Sequence, residues 1–549
     1  MSFNFLIFFS YYFIILISVL GYGCFLLSFE KTNKNIFNFG YVGLVGIFFL
    51  ISYSYLSNIF IPHSKIHNNI LLIIGIFNFI YFFKRYFNNL TFKKNFLFFL
   101  IVFLLLFISL LLDKNHDDFP YYHFSYTYNL TQESLNFGIG KLNHGFRTPS
   151  SIFYLNSLFF LPYADYYLFN FSSIFILGFT NIILLKKILN LNENLKINNN
   201  EIIFTNYLSL LSFIFINIFF YRISEHGTDR SAQILIFLLF IIILDDFQKR
   251  DYSKVDLLFI YILTGLIVSL KSFYFLYFLF SIPLFLFFLQ KEKKIFPTFK
   301  LIFFNRYFIY LFFLIFLVIL SYFSNTGCLL YPISLTCFEN FQWSISPDAV
   351  SKMNDWYELW SKAGANPNFR VSNPEEYIIG FNWVSNWINQ YFFNKVLDFI
   401  LGLFLILTIF FIIFLKLDKK TNEIKISKLI FLTYILLTLM LLEWFYNHPS
   451  LRYGGYCIIS LILFIPFSFY LSKKAISTKK YYQIAFILII ISISVFEIRN
   501  YSRIIKEIKI YNYKPISETF YSIDREYLNM QEKINNLKNN NGIFSKTIF

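Results

Sequence analysis

Charge is scarce in this sequence. Asp, Glu, Lys and Arg make up 14% of the 549 residues, where a soluble globular chain carries roughly a quarter. That deficit excludes a fold whose surface is covered by water. Alanine, methionine and glycine are also sparse, while Phe (80) and Tyr (41) abound. The bias reads as codon usage in an AT-rich genome, and it weakens any argument from one aromatic residue. No RNA- or DNA-binding module is present, so the net charge of +16 does not point to nucleic acid. No small-residue cleavage site follows the first apolar run, roughly 5–29, which is also too long for a signal-peptide core. It reads as a permanent first span. No repeat relates the two halves, which argues against a transporter built from repeats.

What the chain has instead is apolar runs. A membrane helix needs about 20 mostly apolar residues, and lipid tolerates no unpaired backbone, so each run is a helix. The expected fold is all-α, a polytopic transmembrane bundle of about fourteen spans by that length criterion. They centre near residues 16, 48, 77, 104, 172, 210, 238, 262, 280, 314, 405, 437, 462 and 489. The segment 151–163 reads as a partial or re-entrant helix. Basic residues fall in alternate loops, such as Lys84, Arg85, Lys93 and Lys94, then Lys186, Lys187 and Lys196, then Lys473, Lys474, Lys479 and Lys480. By the positive-inside rule these loops are cytoplasmic and both termini extracytoplasmic. Three outward regions are then long enough to carry chemistry or a tail: 113–150, 324–394 and 498–549.

The first outward loop opens Asp113-Lys-Asn-His116-Asp117-Asp118-Phe-Pro-Tyr-Tyr122-His123. Adjacent carboxylates at the lip of an apolar helix suit a general base or a divalent-metal ligand (Mg or Mn), although a polar pair also simply ends a span. His144 and Arg147 close that loop as ordinary interfacial residues. In the second, Cys328 and Cys337 lie close on the oxidising face and are expected to form a disulfide; Cys24 and Cys457 fall in spans as small apolar residues. Five of six tryptophans, Trp343, Trp356, Trp360, Trp383 and Trp387, fall in this loop. The pairs Trp356/Trp360 and Trp383/Trp387 each share a helix face. They read first as surface helices anchored by aromatics, and alternatively as a stacking surface for sugar or lipid headgroup. Lys271, Arg452, Arg222 and Arg230 are the outer cations available to a phosphate.

Asn115-His-Asp117-Asp118-Phe-Pro-Tyr-Tyr-His resembles the first extracytoplasmic loop of the GT-C glycosyltransferase superfamily. Thr264-Gly-Leu-Ile-Val-Ser-Leu-Lys271 resembles its span with a donor-side Lys, and Asn325-Thr-Gly-Cys-Leu-Leu-Tyr-Pro332 a later "Gly then Tyr-Pro" segment. With Arg452-Tyr-Gly-Gly, these motifs look like a bacterial GT-C-like group over roughly 95–470. The resemblance implies a GT-C-like core at 96–470, preceded by spans in 1–95 and followed by a last hairpin segment, 471–497, and a polar tail, 498–549. It also implies a bacterial inner-membrane enzyme that moves a sugar from a polyprenyl-phosphate donor to a glycan, lipid or protein acceptor on the outer face. Asp117 or Asp118 would be the base, Lys271, Arg452, Arg222 and Arg230 the phosphate cations, and His116, Tyr122, His144, Trp356 and Trp360 acceptor contacts. Some members bind a divalent metal through such carboxylates. The competing readings are a lipid or polysaccharide flippase and an O-antigen-type polymerase or ligase, the latter leaning on Arg370 and His448.

Overall fold

A computed structural model describes residues 2–29, 38–112, 118–189, 202–225, 227–365, 371–415, 427–473, 478–512, 514–517 and 519. The described residues are helices and connections, with no strand. The first ten helices are α1 (Phe3–Ser28), α2 (Phe39–Phe60), α3 (Lys65–Tyr86), α4 (Leu90–Leu106), α5 (Phe124–Gln132), α6 (Ser151–Ser157), α7 (Phe171–Leu189), α8 (Ile202–Phe219), α9 (Gly227–Lys249) and α10 (Lys254–Leu270). The second ten are α11 (Ser281–Glu292), α12 (Ile295–Phe303), α13 (Arg306–Thr326), α14 (Pro347–Lys362), α15 (Pro374–Ile378), α16 (Val384–Trp387), α17 (Leu397–Leu415), α18 (Lys428–Asn447), α19 (Tyr456–Ser472) and α20 (Thr478–Tyr511).

Helix starts follow from side chains that can take up the free amides of a first turn. Ser2, Asn38, Ser64, Asn89, Asn305, Ser346 and Ser427 each cap a helix in this way, and Ser253 with Asp256 forms a capping box at α10. Gly327 ends α13 at φ 79°, the left-handed conformation glycine adopts without strain.

Twelve helical stretches among the described residues are long and apolar enough to cross a membrane. A shorter apolar helix, Phe204–Phe219 within α8, and the 17-residue buried helix α10 sit where spans are expected near 210 and 262. The segment 151–163 forms only the short buried helix α6 before the chain turns into α7.

Apolar character all round a helix marks it as central. In α7 and α9, 94% of the spanning window is buried, against 28% in α3. Helices α7, α8, α9 and α10 therefore form the inner group, with α2, α13, α19 and α20 packed on it. Phe77, Phe312, Phe316, Phe404, Leu405 and Ile487 are exposed on the outer helices, as a lipid-facing surface requires.

Helices α1 and α3 approach through glycines, the small-residue device of membrane packing. A Cβ on Gly21 would lie 1.8 Å from the Gly75 carbonyl oxygen, and one on Gly75 2.0 Å from Ser18 Oγ. Gly21→Val is expected to push α3 away and destabilise the fold by about 1–3 kcal/mol. A thermal unfolding midpoint in detergent equal to wild type would show that the two helices have room to separate.

The second region expected to face outward, 324–394, contains helices α14, α15 and α16. Helical structure resumes at Val384 and runs through a π-helical stretch, Ile388–Val396, directly into α17. The Trp383/Trp387 pair also does not anchor a surface helix. Trp383 is fully buried and Trp387 nearly so, because each indole N–H finds an internal carbonyl: Gly380 at 2.9 Å and Pro449 at 2.9 Å. Lys362, also fully buried, lies 5.3 Å from the Trp383 ring centroid, donates to the Ile378 carbonyl at 3.0 Å and pairs with Glu358. Cys328 and Cys337 form a disulfide as expected.

Candidate functional site

Four chain segments meet at one end of α9. Asp118 begins the π-helical turn Phe119–His123 that leads into α5. Asp229 lies in the first turn of α9, where the helix dipole favours an anion. Lys271 follows α10 in extended conformation. Arg452 lies in the irregular turn Leu451–Gly455 ahead of α19. That turn is possible because Gly454 takes φ 90°, a conformation that L side chains rarely adopt.

The four side chains form one continuous ionic network, running Asp118–Arg452–Asp229–Lys271. Arg452 Nε donates to Asp229 Oδ2 at 2.6 Å, and Arg452 Nη2 to Asp118 Oδ2 at 2.5 Å. Lys271 Nζ donates to Asp229 Oδ1 at 2.9 Å. Two cations and two carboxylates leave the network neutral. Asp229 is the buried member, its side chain 6% exposed, while Asp118 and Arg452 stay about a quarter open at 25% and 27%. Burial lowers the pKa of the Lys271 ammonium, against the opposing pull of Asp229.

The supports of the network are polar groups on the same elements. Gln233, one helical turn beyond Asp229, donates to the Arg452 carbonyl at 3.0 Å and accepts from Cys457 N at 3.1 Å. Tyr274 OH donates to the Asp229 carbonyl at 3.3 Å. The turn before Arg452 is held by Trp444 Nε1 to the Ser450 carbonyl at 2.9 Å and by Leu451 N to Tyr391 OH at 3.0 Å.

Aromatic groups surround the open side. Lys271 lies 5.1 Å from the Tyr453 ring centroid, and the Trp360 ring 6.0 Å from the same ring. Burial first, and then the charge of Asp118, push the Tyr122 phenol well up, so it stays protonated. Tyr121 OH is 3.1 Å from His144 Nδ1, and the half-exposed Trp356 stands 6.1 Å from the His144 ring. Burial, then Arg147, lower the His144 pKa. A small cavity of mixed lining lies nearby, with His123, Asn156, Asn170 and Thr228 on one hand and Ile152 and Phe153 on the other. Its lining includes Phe119 and Thr228, the chain neighbours of Asp118 and Asp229.

Of the residues singled out from sequence, Asp118, Lys271 and Arg452 come together, with Tyr122, His144, Trp356 and Trp360 around them. Asp117, His116 and Arg370 lie outside the described residues. Arg222 and Arg230 join a different group, described below. Asp229 is not among the residues singled out from sequence, although a carboxylate opening an otherwise apolar helix is itself a signal. The described residues contain no group of three or more His, Cys, Asp or Glu able to hold a metal. Asp118 and Asp229 are bridged by the guanidinium of Arg452, in the position a shared cation would need. The residues described therefore do not fit a divalent metal.

A family model described as a domain of unknown function, DUF8201, matches residues 5–459. The chain belongs to this family. The DUF8201 match begins within α1 and ends in the first turn of α19, so it takes in all four segments of the ionic network. No curated protein and no solved structure matches the chain.

His448, just before the Arg452 turn of the DUF8201 domain, links the site to pH. Burial, then Lys362, draw its pKa down from 6.5 to about 4. A depressed histidine binds fewer protons folded than unfolded, so its share of stability is full above about 6.5 and is lost as pH falls towards 4. His63, bonded to Ser57 and Ser157 and drawn down to about 3, acts with the same sign. His448→Asn is therefore expected to flatten part, and not all, of the fall in unfolding midpoint between pH 7 and pH 4.5. A pH profile parallel to wild type would remove His448 from this role.

Proposed function

We propose that this DUF8201 protein is a GT-C-like membrane glycosyltransferase that uses a polyprenyl-phosphate-linked sugar on the extracytoplasmic face. The observation that carries the reading is the network of Asp118, Arg452, Asp229 and Lys271. In the proposed reaction the acceptor oxygen bonds to the anomeric carbon as the bond from that carbon to the phosphate oxygen breaks. The acceptor proton passes to Asp118, the more open carboxylate, and the leaving lipid phosphate takes up the charge of Lys271 and Arg452. Asp229 is the positioning residue that aims both cations before the donor arrives. Trp356, Trp360 and His144 offer aromatic and polar surface to an acceptor.

The membrane arrangement supports the same reading. Counting α8 and α10 with the twelve longer stretches gives fourteen crossings, and an even number returns both ends of the chain to one side. Ser2 Oγ donates to the Ile516 carbonyl at 2.8 Å, in keeping with ends that share a side. With the lysine-rich loops cytoplasmic, the Cys328–Cys337 disulfide and the ionic network both fall on the outer, oxidising side of a bacterial inner membrane.

The test is transfer of radiolabelled sugar from a panel of polyprenyl-phosphate donors by the purified full chain, with membrane extract as acceptor source. Transfer by wild type that Asp118→Asn loses upholds the proposal. Wild-type protein that neither binds nor turns over any donor overturns it in favour of a flippase or an O-antigen-type polymerase.

A further inference from the structure

Helix α20 is longer than a membrane needs. Its 34 residues rise about 51 Å at 1.5 Å each, against a hydrocarbon core of about 30 Å. The apolar stretch begins after Lys479 and Lys480 and gives way to Glu497, Arg499, Arg503 and Glu507. Those arginines therefore stand at headgroup depth, at the end of the helix opposite the lysines.

They meet the connection between α8 and α9. Arg499 Nη1 donates to the Ile218 carbonyl at 2.6 Å. The Arg499 guanidinium lies 3.9 Å from the Tyr221 ring centroid, and that of Arg503 5.7 Å from the same ring. Arg222 follows Tyr221, and its charge acts on both Arg503 and Arg230. Arg230 lies 5.8 Å from the Phe220 ring centroid, and its buried Nη1 has no hydrogen-bond partner. Glu507 lies 4.0 Å from Arg503; Asp229 is engaged by Lys271 and Arg452, and the Glu225 side chain lies outside the described residues. Guanidinium groups gathered at headgroup depth match the fork geometry of phosphate oxygens.

We infer that Arg222, Arg230, Arg499 and Arg503 form a second anion site, separate from the Asp118–Arg452 network, that binds the phosphate of a lipid headgroup in the outer leaflet. The site goes beyond the proposed reaction, because α20 lies wholly outside the family match and the phosphate is held there with no bond to it broken.

The experiment is lipid titration of the purified full chain, read by native mass spectrometry and by unfolding midpoint. The probes are polyprenyl monophosphate, phosphatidylglycerol, phosphatidylcholine and inorganic phosphate. Wild type is expected to retain the two anionic lipids, and Arg499→Gln/Arg503→Gln to bind them about tenfold or more weakly. Arg499→Lys/Arg503→Lys, which keeps the charge, should restore part of the binding and so separates a lost site from a lost fold. Competition by inorganic phosphate would assign recognition to the phosphate group alone, and its failure would assign it to the intact lipid. Equal binding by wild type and the glutamine variant overturns the inference, as does equal retention of phosphatidylcholine. Asp118→Asn should bind as wild type does, so failure of the transfer reaction and failure of this site are read independently.

Discussion

Asp229→Ala is expected to lower the stability of the folded protein by about 3–5 kcal/mol, the usual consequence of removing one partner from a buried ionic pair. The reason is in the arrangement. Asp229 accepts from both Lys271 and Arg452 and is the least exposed of the four side chains. Without it, two cations face each other at the end of an apolar bundle, and only Arg452 retains a carboxylate, that of Asp118. The double variant Asp229→Ala/Lys271→Met is therefore expected to recover part of the loss, because it removes the ammonium left unpaired. The recovery separates an ionic role from simple loss of packing. Unfolding followed by tryptophan fluorescence in detergent would measure both variants. A double variant less stable than Asp229→Ala alone would mean that Lys271 is held by something other than Asp229.

Asp118→Asn is expected to behave in the opposite way, with a large effect on chemistry and a small one on the fold. Its side chain is a quarter exposed, and an asparagine oxygen can still accept from Arg452 Nη2. The unfolding midpoint should stay close to that of wild type. If Asp118 takes the acceptor proton, transfer should fall by about 10²–10⁴-fold, the range for loss of a general base. Asp117→Asn, at the neighbouring position, is the matched comparison. Retained turnover in Asp118→Asn alongside loss in Asp117→Asn would move the base by one residue. Retained turnover in both would leave the network a structural role only.

Much of the architecture was legible in advance because hydropathy and basic-residue placement act locally. Each apolar run must satisfy its own backbone in lipid, so α1, α2, α7 and α9 could be read one at a time. The Cys328–Cys337 pairing was legible because the two cysteines are nine residues apart in a region expected to face outward. Where the reading went astray, long-range packing was the cause. Trp383 and Trp387 lie one turn apart with their rings edge to face at 6.1 Å, but the choice between bilayer and interior depended on the carbonyls of Gly380 and Pro449. Arg222 and Arg230 looked like companions of Lys271, yet the segment beside them, Phe220 and Tyr221, packs against Arg230 and against the arginines of α20, far away in sequence.

The sequence by itself determined that the chain is a polytopic helical membrane protein, which loops carry positive charge, and which few ionisable residues interrupt the apolar runs. A hydrocarbon solvent enforces those properties segment by segment, without reference to the rest of the chain. Only the tertiary structure decided which of those ionisable residues meet. Asp118, Asp229, Lys271 and Arg452 come from four separate segments, and none of them can be neutralised by its own helix. The fold brings them together because a charge at the end of a buried helix is costly until an opposite charge reaches it, and no local rule of sequence names that partner.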